Sequence, residues 1–342
     1  MSASVVANVE RTHNSWRGIL ARSAIAYVAT RLCVLMGAAV VAAQKIVEQK
    51  LHNDPHPMNA VSWLVGVLTT WDGQWYFQIA RHGYPTDVPQ NVTFDMPEAR
   101  TAFFPLYPLL VRCLDAVLPG GDVLAGLALN VVLGAGAIYL IGLLARDLFN
   151  ERVAYRAMLF AAVFPGSFVL SFSYAEALLL VLAAGCLLCL QRRQWWLAGA
   201  LAALGTATRP NGVALIAACA ERTSFGGSAL AGTWDAIARP LHSPTNFLTG
   251  LCIVATVILC IVGWKRRLPW PIMAYTATVL ALMLLPSTVT ARPRFIYTAF
   301  PLLISSSAWL ADDHDTWAVL YAMSAAGLVA LTALYGFYGA IP

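Results

Sequence analysis

About nine apolar runs, each near the ~20 residues that a helix needs to cross the hydrocarbon core of a bilayer, follow one another along this chain. They fall near residues 19–43, 122–145, 157–173, 174–190, 195–220, 245–264, 270–287, 295–311 and 317–339. Runs of this kind predict an all-α polytopic membrane protein, because a helix satisfies its own backbone groups where no water can. The composition agrees: 59% of the 342 residues are hydrophobic and 11% are charged, against roughly 25% charged in an average soluble domain. The net charge of +5 is a matter of membrane topology, since no basic tail or stripe points to nucleic acid.

Cations set the expected orientation. Arg11, Arg17 and Arg22 precede the first run, Arg146, Arg152 and Arg156 follow the second, Arg192 and Arg193 follow the fourth, and Lys265, Arg266 and Arg267 follow the sixth. Placing these clusters inside makes residues 1–18 a cytoplasmic segment and 19–339 a single integral-membrane domain, with 44–121 an extracytoplasmic loop. The first run is too long for a signal-peptide core and lacks a small-residue cleavage site, so it is expected to stay as an anchor. Two runs are interrupted, one by Pro165 and Gly166 and the other by Arg209, Pro210, Asn211 and Gly212. Breaks at membrane depth survive only where the freed backbone groups face protein or a wet cavity. Cysteines lie almost all within apolar runs and suggest neither a disulfide framework nor a metal site; the Cys186/Cys189 pair is read as packing.

The 78-residue loop 44–121 is the longest polar excursion, and long connections in compact proteins usually carry function. Its densest part is WDGQWYFQIARHGYP, residues 71–85. On a helix, Trp71, Trp75 and Ile79, with Tyr76 and Ala80 beside them, form an apolar and aromatic stripe opposite Gln74, Gln78 and Arg81. That describes a helix lying in the membrane interface, either as an aromatic anchor or as part of a site. Asp72, at the start of this helix, is a candidate general base. A second cluster, TAFFPLYPLL at 101–110, predicts a re-entrant or interfacial helix. Its Phe103, Phe104 and Tyr107 either line a sugar or lipid groove or pack as a wedge, and Arg112 and Asp115 are spaced for an i, i+3 pair. His52, Asp54 and His56 imitate a metal site, but the proline-interrupted spacing and the lack of a second ligand set argue against one.

Polar residues inside the apolar runs are functional candidates by default. Glu176, in SFSYAEAL, is the only acid between Glu151 and Glu221. It is a candidate catalytic acid or base, or a carboxylate satisfying a helix N-terminus. Arg209, Arg292 and Arg294 fall toward the outer side, against the inside bias of cations. Their forked guanidinium groups suit a phosphate; the alternative is ion pairing with Asp72, Glu176 or Asp95. Arg31, near the middle of the first run, either pairs with an acid or lines the cavity.

One outer carboxylate, several outer arginines and an aromatic shelf suit sugar transfer from a polyprenyl-phosphate sugar, with the acid as base and the arginines receiving the departing phosphate. The expected partners are that donor, a glycan, glycolipid or protein acceptor, and membrane lipid. No cofactor, metal ion or nucleic acid is expected. WDGQWYFQIARHGYP, AFFPLYPLL, FPGSFVLSFSYAEALL and GTATRPNG, in this order, resemble the PIG-V mannosyltransferase family over most of residues 31–215, with an echo at ARPRFIYTAFPLL. The resemblance implies a GT-C-type bundle and an inverting, metal-independent mannosyltransferase fed by dolichyl- or polyprenyl-phosphate mannose. It maps Trp71 and Asp72 onto the family's Trp-Asp pair, Phe104 and Pro105 onto its FFP, Tyr174 and Glu176 onto its YSEA, and Arg209, Asn211 and Gly212 onto its RxNG. Ala175 replaces the serine of YSEA and Pro210 the serine of RSNG. The Ala-rich composition points to a bacterial relative, expected in the plasma membrane with an extracytoplasmic active site and an acceptor of its own. Two other readings are a lipid-linked sugar transporter, which predicts inverted repeats that the sequence lacks, and a non-catalytic subunit of a transferase complex.

Overall fold

A single helix, α1, runs from Ala3 to Leu51 in the computed structural model, which describes residues 3–86, 100–209, 244–265, 268–284 and 293–337. It ends where Asn53 turns left-handed at φ 49° and Asp54 N donates to Gln49 O at 3.0 Å, a common way of satisfying the last carbonyls of a helix. Two short helices follow, α2 (Ala60–Leu68) and α3 (Asp72–His82). Asn59 caps α2 by accepting from Ser62 N at 2.8 Å, and Gly83, at φ 72°, closes α3. Helix α4 spans Leu106–Asp115, and α5 spans Gly121–Leu148. Helix α6 (Glu151–Val163) starts at the Asn150 cap and stops just before Phe164-Pro165. A 3-10 segment, Pro165–Leu170, leads to α7 (Glu176–Gln191) and α8 (Trp195–Thr206). The C-terminal part holds α9 (Pro244–Lys265), α10 (Trp270–Leu284), α11 (Pro293–Thr298), α12 (Pro301–Trp309) and α13 (His314–Gly336).

The all-helical reading is met. Among the described residues three helices are long and apolar enough to cross a membrane: Trp16–Leu51 within α1, α5 and α13. Shorter apolar helices within α7 to α10 occupy four more of the expected runs. The expected 157–173 span is instead α6 followed by the 3-10 segment, and 295–311 splits into α11 and α12 at Pro301, because proline lacks the donor that would continue a helix.

Helix α7 stands at the centre, packed against α5 and α8. It is buried almost all round, as expected of a core helix that is apolar on every face. Helix α1 packs along α13 and α2, and α6 on α5 and α12. The irregular stretch 166–175 is wholly buried, so its freed carbonyls must find protein donors. Arg31 supplies several. Its Nη1 donates to Ser167 O at 2.6 Å and Ser171 Oγ at 3.2 Å, and its Nη2 to Ala162 O at 3.0 Å and Ser167 Oγ at 3.0 Å. The guanidinium also lies over the Tyr27 ring, 5.1 Å from its centroid. Among the described residues Arg31 pairs with no acid: it caps the end of α6 and the 3-10 turn, where carbonyl ends of helices attract positive charge.

Two local expectations are corrected. Trp71 is not part of the α3 stripe but its N-cap, at φ 58° and ψ −120°. The buried face of α3 is Gly73, Tyr76, Phe77, Ile79 and Ala80, with Trp75 half-buried, because α3 packs on α4 and α5 rather than lying alone on lipid. Arg112 and Asp115 form no ion pair. Arg81 instead reaches Asp122, through Nε at 2.6 Å and Nη2 at 2.8 Å, which ties α3 to the N-terminal end of α5.

Candidate active site

The break after α6 and the end of α8 deliver charge to the same place. Glu176 opens α7, Arg209 follows α8 three residues after its last turn, Arg294 lies in α11 and Asp72 opens α3. Arg294 Nη1 sits 3.0 Å from Asp72 Oδ2 and 3.8 Å from Glu176 Oε1. Arg209 Nη2 lies 3.7 Å from Asp72 Oδ2, and its Nη1 is in close contact with Glu176 Oε1. Among the described residues, two acids and two arginines thus form a charge-balanced cluster. Burying an ion costs several kcal/mol unless a partner compensates it, which explains why each acid here touches both cations. Exposure grades across the cluster, from 0% for the Glu176 side chain and 6% for Arg294 to 12% for Arg209 and 16% for Asp72. Asp72 is the member that faces outward.

Backbone contacts hold the parts in register. Ser173 N donates to Leu68 O at 3.0 Å, and Leu106 N to Ala207 O at 3.1 Å, so the Glu176 turn is tied to α2 and the Arg209 segment to α4. Gly73 makes the close approach possible, since a β-carbon there would stand 3.3 Å from Ser173 O. Trp71 Nε1 donates to Tyr335 O at 3.2 Å, anchoring the residue before Asp72 to α13.

Aromatic rings form one wall. Tyr76 packs edge-on to Phe103 at 5.1 Å and to Tyr107 at 4.8 Å, and Trp75 stacks on Phe103 at 6.3 Å. Phe104 is half-buried beside them. The Tyr76 phenol is pushed well above its ordinary range by burial, while the guanidinium of Arg209 acts in the opposite sense; it is a neutral hydroxyl that feels the charged cluster. Tyr174 lies under Arg294, whose guanidinium carbon is 5.5 Å from the ring centroid.

The structure therefore gathers Trp71, Asp72, Trp75, Tyr76, Phe103, Tyr107, Tyr174, Glu176, Arg209 and Arg294 around one locus. Asn211 and Arg292, with Asp95, lie outside the described residues. Of the two readings for the arginines, ion pairing with Asp72 and Glu176 is what the structure contains. Reasoning from sequence missed Asn130, fully buried in α5, whose Nδ2 donates to Phe172 O and, at 2.9 Å, to Tyr174 O. Its signal was available: it is the only asparagine in the apolar run Gly121–Leu148. Around His52, Asp54 and His56 the groups are exposed, and Asp54 Oδ1 accepts from His56 N at 2.9 Å to close a turn. Among the described residues no three His, Cys, Asp or Glu side chains come together as a metal site would require.

By sequence, a bundle with this buried acid and arginine cluster stands beside proteins that carry the name mannosyltransferase. The chain belongs to the mannosyltransferase (PIG-V) family, whose profile matches residues 22–225. It is 32% identical over 165 residues to GPI alpha-1,6-mannosyltransferase 2 of Rattus norvegicus and 33% identical to that of Mus musculus, matching 45% of this chain and 31% of each relative. The matched region is thus about a third of the curated relatives. A solved structure of the Archaeoglobus fulgidus oligosaccharyltransferase, in complex with zinc and sulfate, aligns with 89% of this chain and 38% of its own, at 16% identity and a TM-score of 0.33.

Proposed function

We propose that this protein transfers mannose from a polyprenyl-phosphate donor to a hydroxyl of a glycan, glycolipid or protein at the extracytoplasmic membrane face, with inversion. The observation that carries this reading is the position of Asp72: a carboxylate at the outer edge of a buried cluster, flanked by two guanidinium groups and an aromatic wall. Both arginine contacts of Asp72 are to Oδ2, so Oδ1 is the oxygen assigned to take the proton of the acceptor hydroxyl. As that hydroxyl oxygen bonds to the anomeric carbon, the bond from this carbon to the phosphate oxygen breaks. The electron pair leaves on the lipid phosphate, where Arg209 and Arg294 offset the growing charge. Their forked donors match phosphate oxygens. Attack opposite the leaving group inverts the anomeric centre.

Glu176 has a different part in this scheme. With no exposed surface it does not reach an acceptor, and its place between the two arginines suits holding them for the phosphate. Trp75, Tyr76, Phe103 and Tyr107 offer faces for a sugar ring or the lipid tail. A GT-C-type bundle of about nine spans is the architecture this reading assumes. The test is transfer of label from radiolabelled polyprenyl-phosphate mannose in membranes containing the protein, with wild type beside Asp72→Asn. The asparagine keeps the size of the side chain and removes the base, so transfer is expected to fall by about 10²- to 10⁴-fold with the protein still folded. Equal transfer by the two proteins would remove Asp72 from the chemistry, and transport of the donor without transfer would favour the transporter.

A further inference from the structure

Asn130 is the one amide buried in the apolar length of α5, and it is spent on the turn that carries the site. Its Nδ2 donates to the carbonyls of Phe172 and Tyr174. Two carbonyl acceptors require the NH2 group on that side, so the chemistry fixes which way the amide points. The Tyr107 hydroxyl lies near the same amide, while Oδ1 is buried with no hydrogen-bond partner among the described residues. Tyr107 in turn packs on Tyr76. Asn130 thus bonds to the broken-helix turn that delivers Tyr174 and Glu176, and it lies near the aromatic wall carried by α3 and α4.

From the far side the same turn is held by α2, through Ser173 N to Leu68 O at 3.0 Å, four residues before Asp72. Gly73 approaches Ser173 so closely that a β-carbon there would stand 3.3 Å from Ser173 O. The turn is therefore clamped between the element that leads to Asp72 and the amide of Asn130. Release of one jaw lets Tyr174 and Glu176 move relative to Asp72, and with them the two arginines they touch.

We infer that Asn130 is a positioning residue for the transfer reaction: its amide holds the 172–174 turn so that Glu176 and Tyr174 set Arg209 and Arg294 against Asp72. The inference rests on the transferase reading above. Asn130 touches no reacting atom; it acts through the turn. Displacements of about 1 Å in positioning groups cost on the order of 10²-fold in rate, so the effect is expected in kcat rather than in donor KM.

The experiment compares wild type, Asn130→Leu and Asn130→Asp in full-length protein, using radiolabelled polyprenyl-phosphate mannose as donor. Melting in detergent and the gel-filtration profile report folding, and rates are expressed per folded molecule. Asn130→Leu is expected to lose about 10²-fold in kcat with donor KM within about threefold. Asn130→Asp is the isosteric variant that keeps the test open if leucine does not fold. Its protonated carboxyl still donates one hydrogen bond and its ionised form donates none. The ratio of its rate to wild type is therefore expected to fall as pH rises from about 6 to about 9, with burial holding the carboxyl protonated into that range. A kcat per folded molecule unchanged in both variants overturns the inference while leaving the transferase intact. So does a loss of melting temperature with no change in kcat and no pH-dependent ratio, which marks a merely structural amide. Absence of transfer by wild type itself, in membranes supplied with endogenous acceptor, overturns the transferase reading, and the inference falls with it.

Discussion

Arg294 and Asp72, 222 positions apart in the chain, meet through a 3.0 Å hydrogen bond from Nη1 to Oδ2 inside a cluster that also holds Glu176 and Arg209. The bond ties α11, in the C-terminal part of the protein, to α3, the helix that Asp72 opens within the 44–121 loop. Its members are at most 16% exposed, so solvent screens the pair little, and each charge depends on its neighbours.

Removing one acid and one cation together should therefore cost less than the sum of removing each alone. Arg294→Gln leaves Asp72 and Glu176 sharing the charge of Arg209, and breaking a buried pair in this way typically destabilises by about 3–5 kcal/mol. Adding Asp72→Asn to Arg294→Gln restores the charge balance. The double variant is expected to be more stable than the sum of the single effects by at least about 1 kcal/mol. Unfolding in detergent of wild type, both singles and the double measures this; strictly additive losses would mean that the two groups do not stabilise one another.

This contact also shows what could be read from sequence and what could not. The apolar runs marked the helices, Pro165 and Gly166 marked the buried break, the aromatic helix in the long loop marked Asp72, the lone acid of its run marked Glu176, and the outward position of cations marked Arg209 and Arg294. Which cation meets which acid was not legible, because the partners lie on different elements and no local spacing encodes a contact over 222 positions. The face of α3 was legible in part. Tyr76, Ile79 and Ala80 of the expected stripe are buried, but Trp71 leaves the helix, and the packing of α4 and α5 turns Phe77 inward as well. Arg31 was visible as an oddity, yet its partners are backbone carbonyls, and carbonyls carry no sequence signal.

Arg31 gives a prediction for the break itself. Its guanidinium donates to the carbonyls of Ser167 and Ala162 and to hydroxyls of Ser167, Ser171 and Thr30. A methionine there keeps the apolar length of the side chain but removes all of these donors; Ala162 O retains the Ser167 hydroxyl, whereas each buried polar group left unpaired costs about 1–3 kcal/mol. Arg31→Met is expected to destabilise by about 3 kcal/mol or more, with Arg31→Lys intermediate because an ammonium still donates. Thermal unfolding of the three proteins checks the order; a methionine variant as stable as wild type would show that other donors take over these carbonyls.

The last prediction concerns the residue in front of Asp72. Trp71 sits at φ 58° and ψ −120°, a region that a bulky residue enters only under constraint, at a cost of about 1–3 kcal/mol. Two features hold it there: the hydrogen bond from Nε1 to Tyr335 O at 3.2 Å and the turn that Gly73 N makes by donating to Thr70 O at 3.3 Å. Alanine and glycine at position 71 both lose the indole and its bond to α13, but only glycine escapes the backbone strain. Trp71→Gly is therefore expected to be more stable than Trp71→Ala by about 1 kcal/mol, a reversal of the usual order in helix-forming positions. Both should transfer sugar poorly, since Asp72 begins its helix from a backbone that the indole no longer anchors. Paired melting curves and initial rates test the two halves separately: alanine equal to or above glycine in stability would mean that the turn relaxes without the tryptophan, and full activity in either variant would free Asp72 from this anchor.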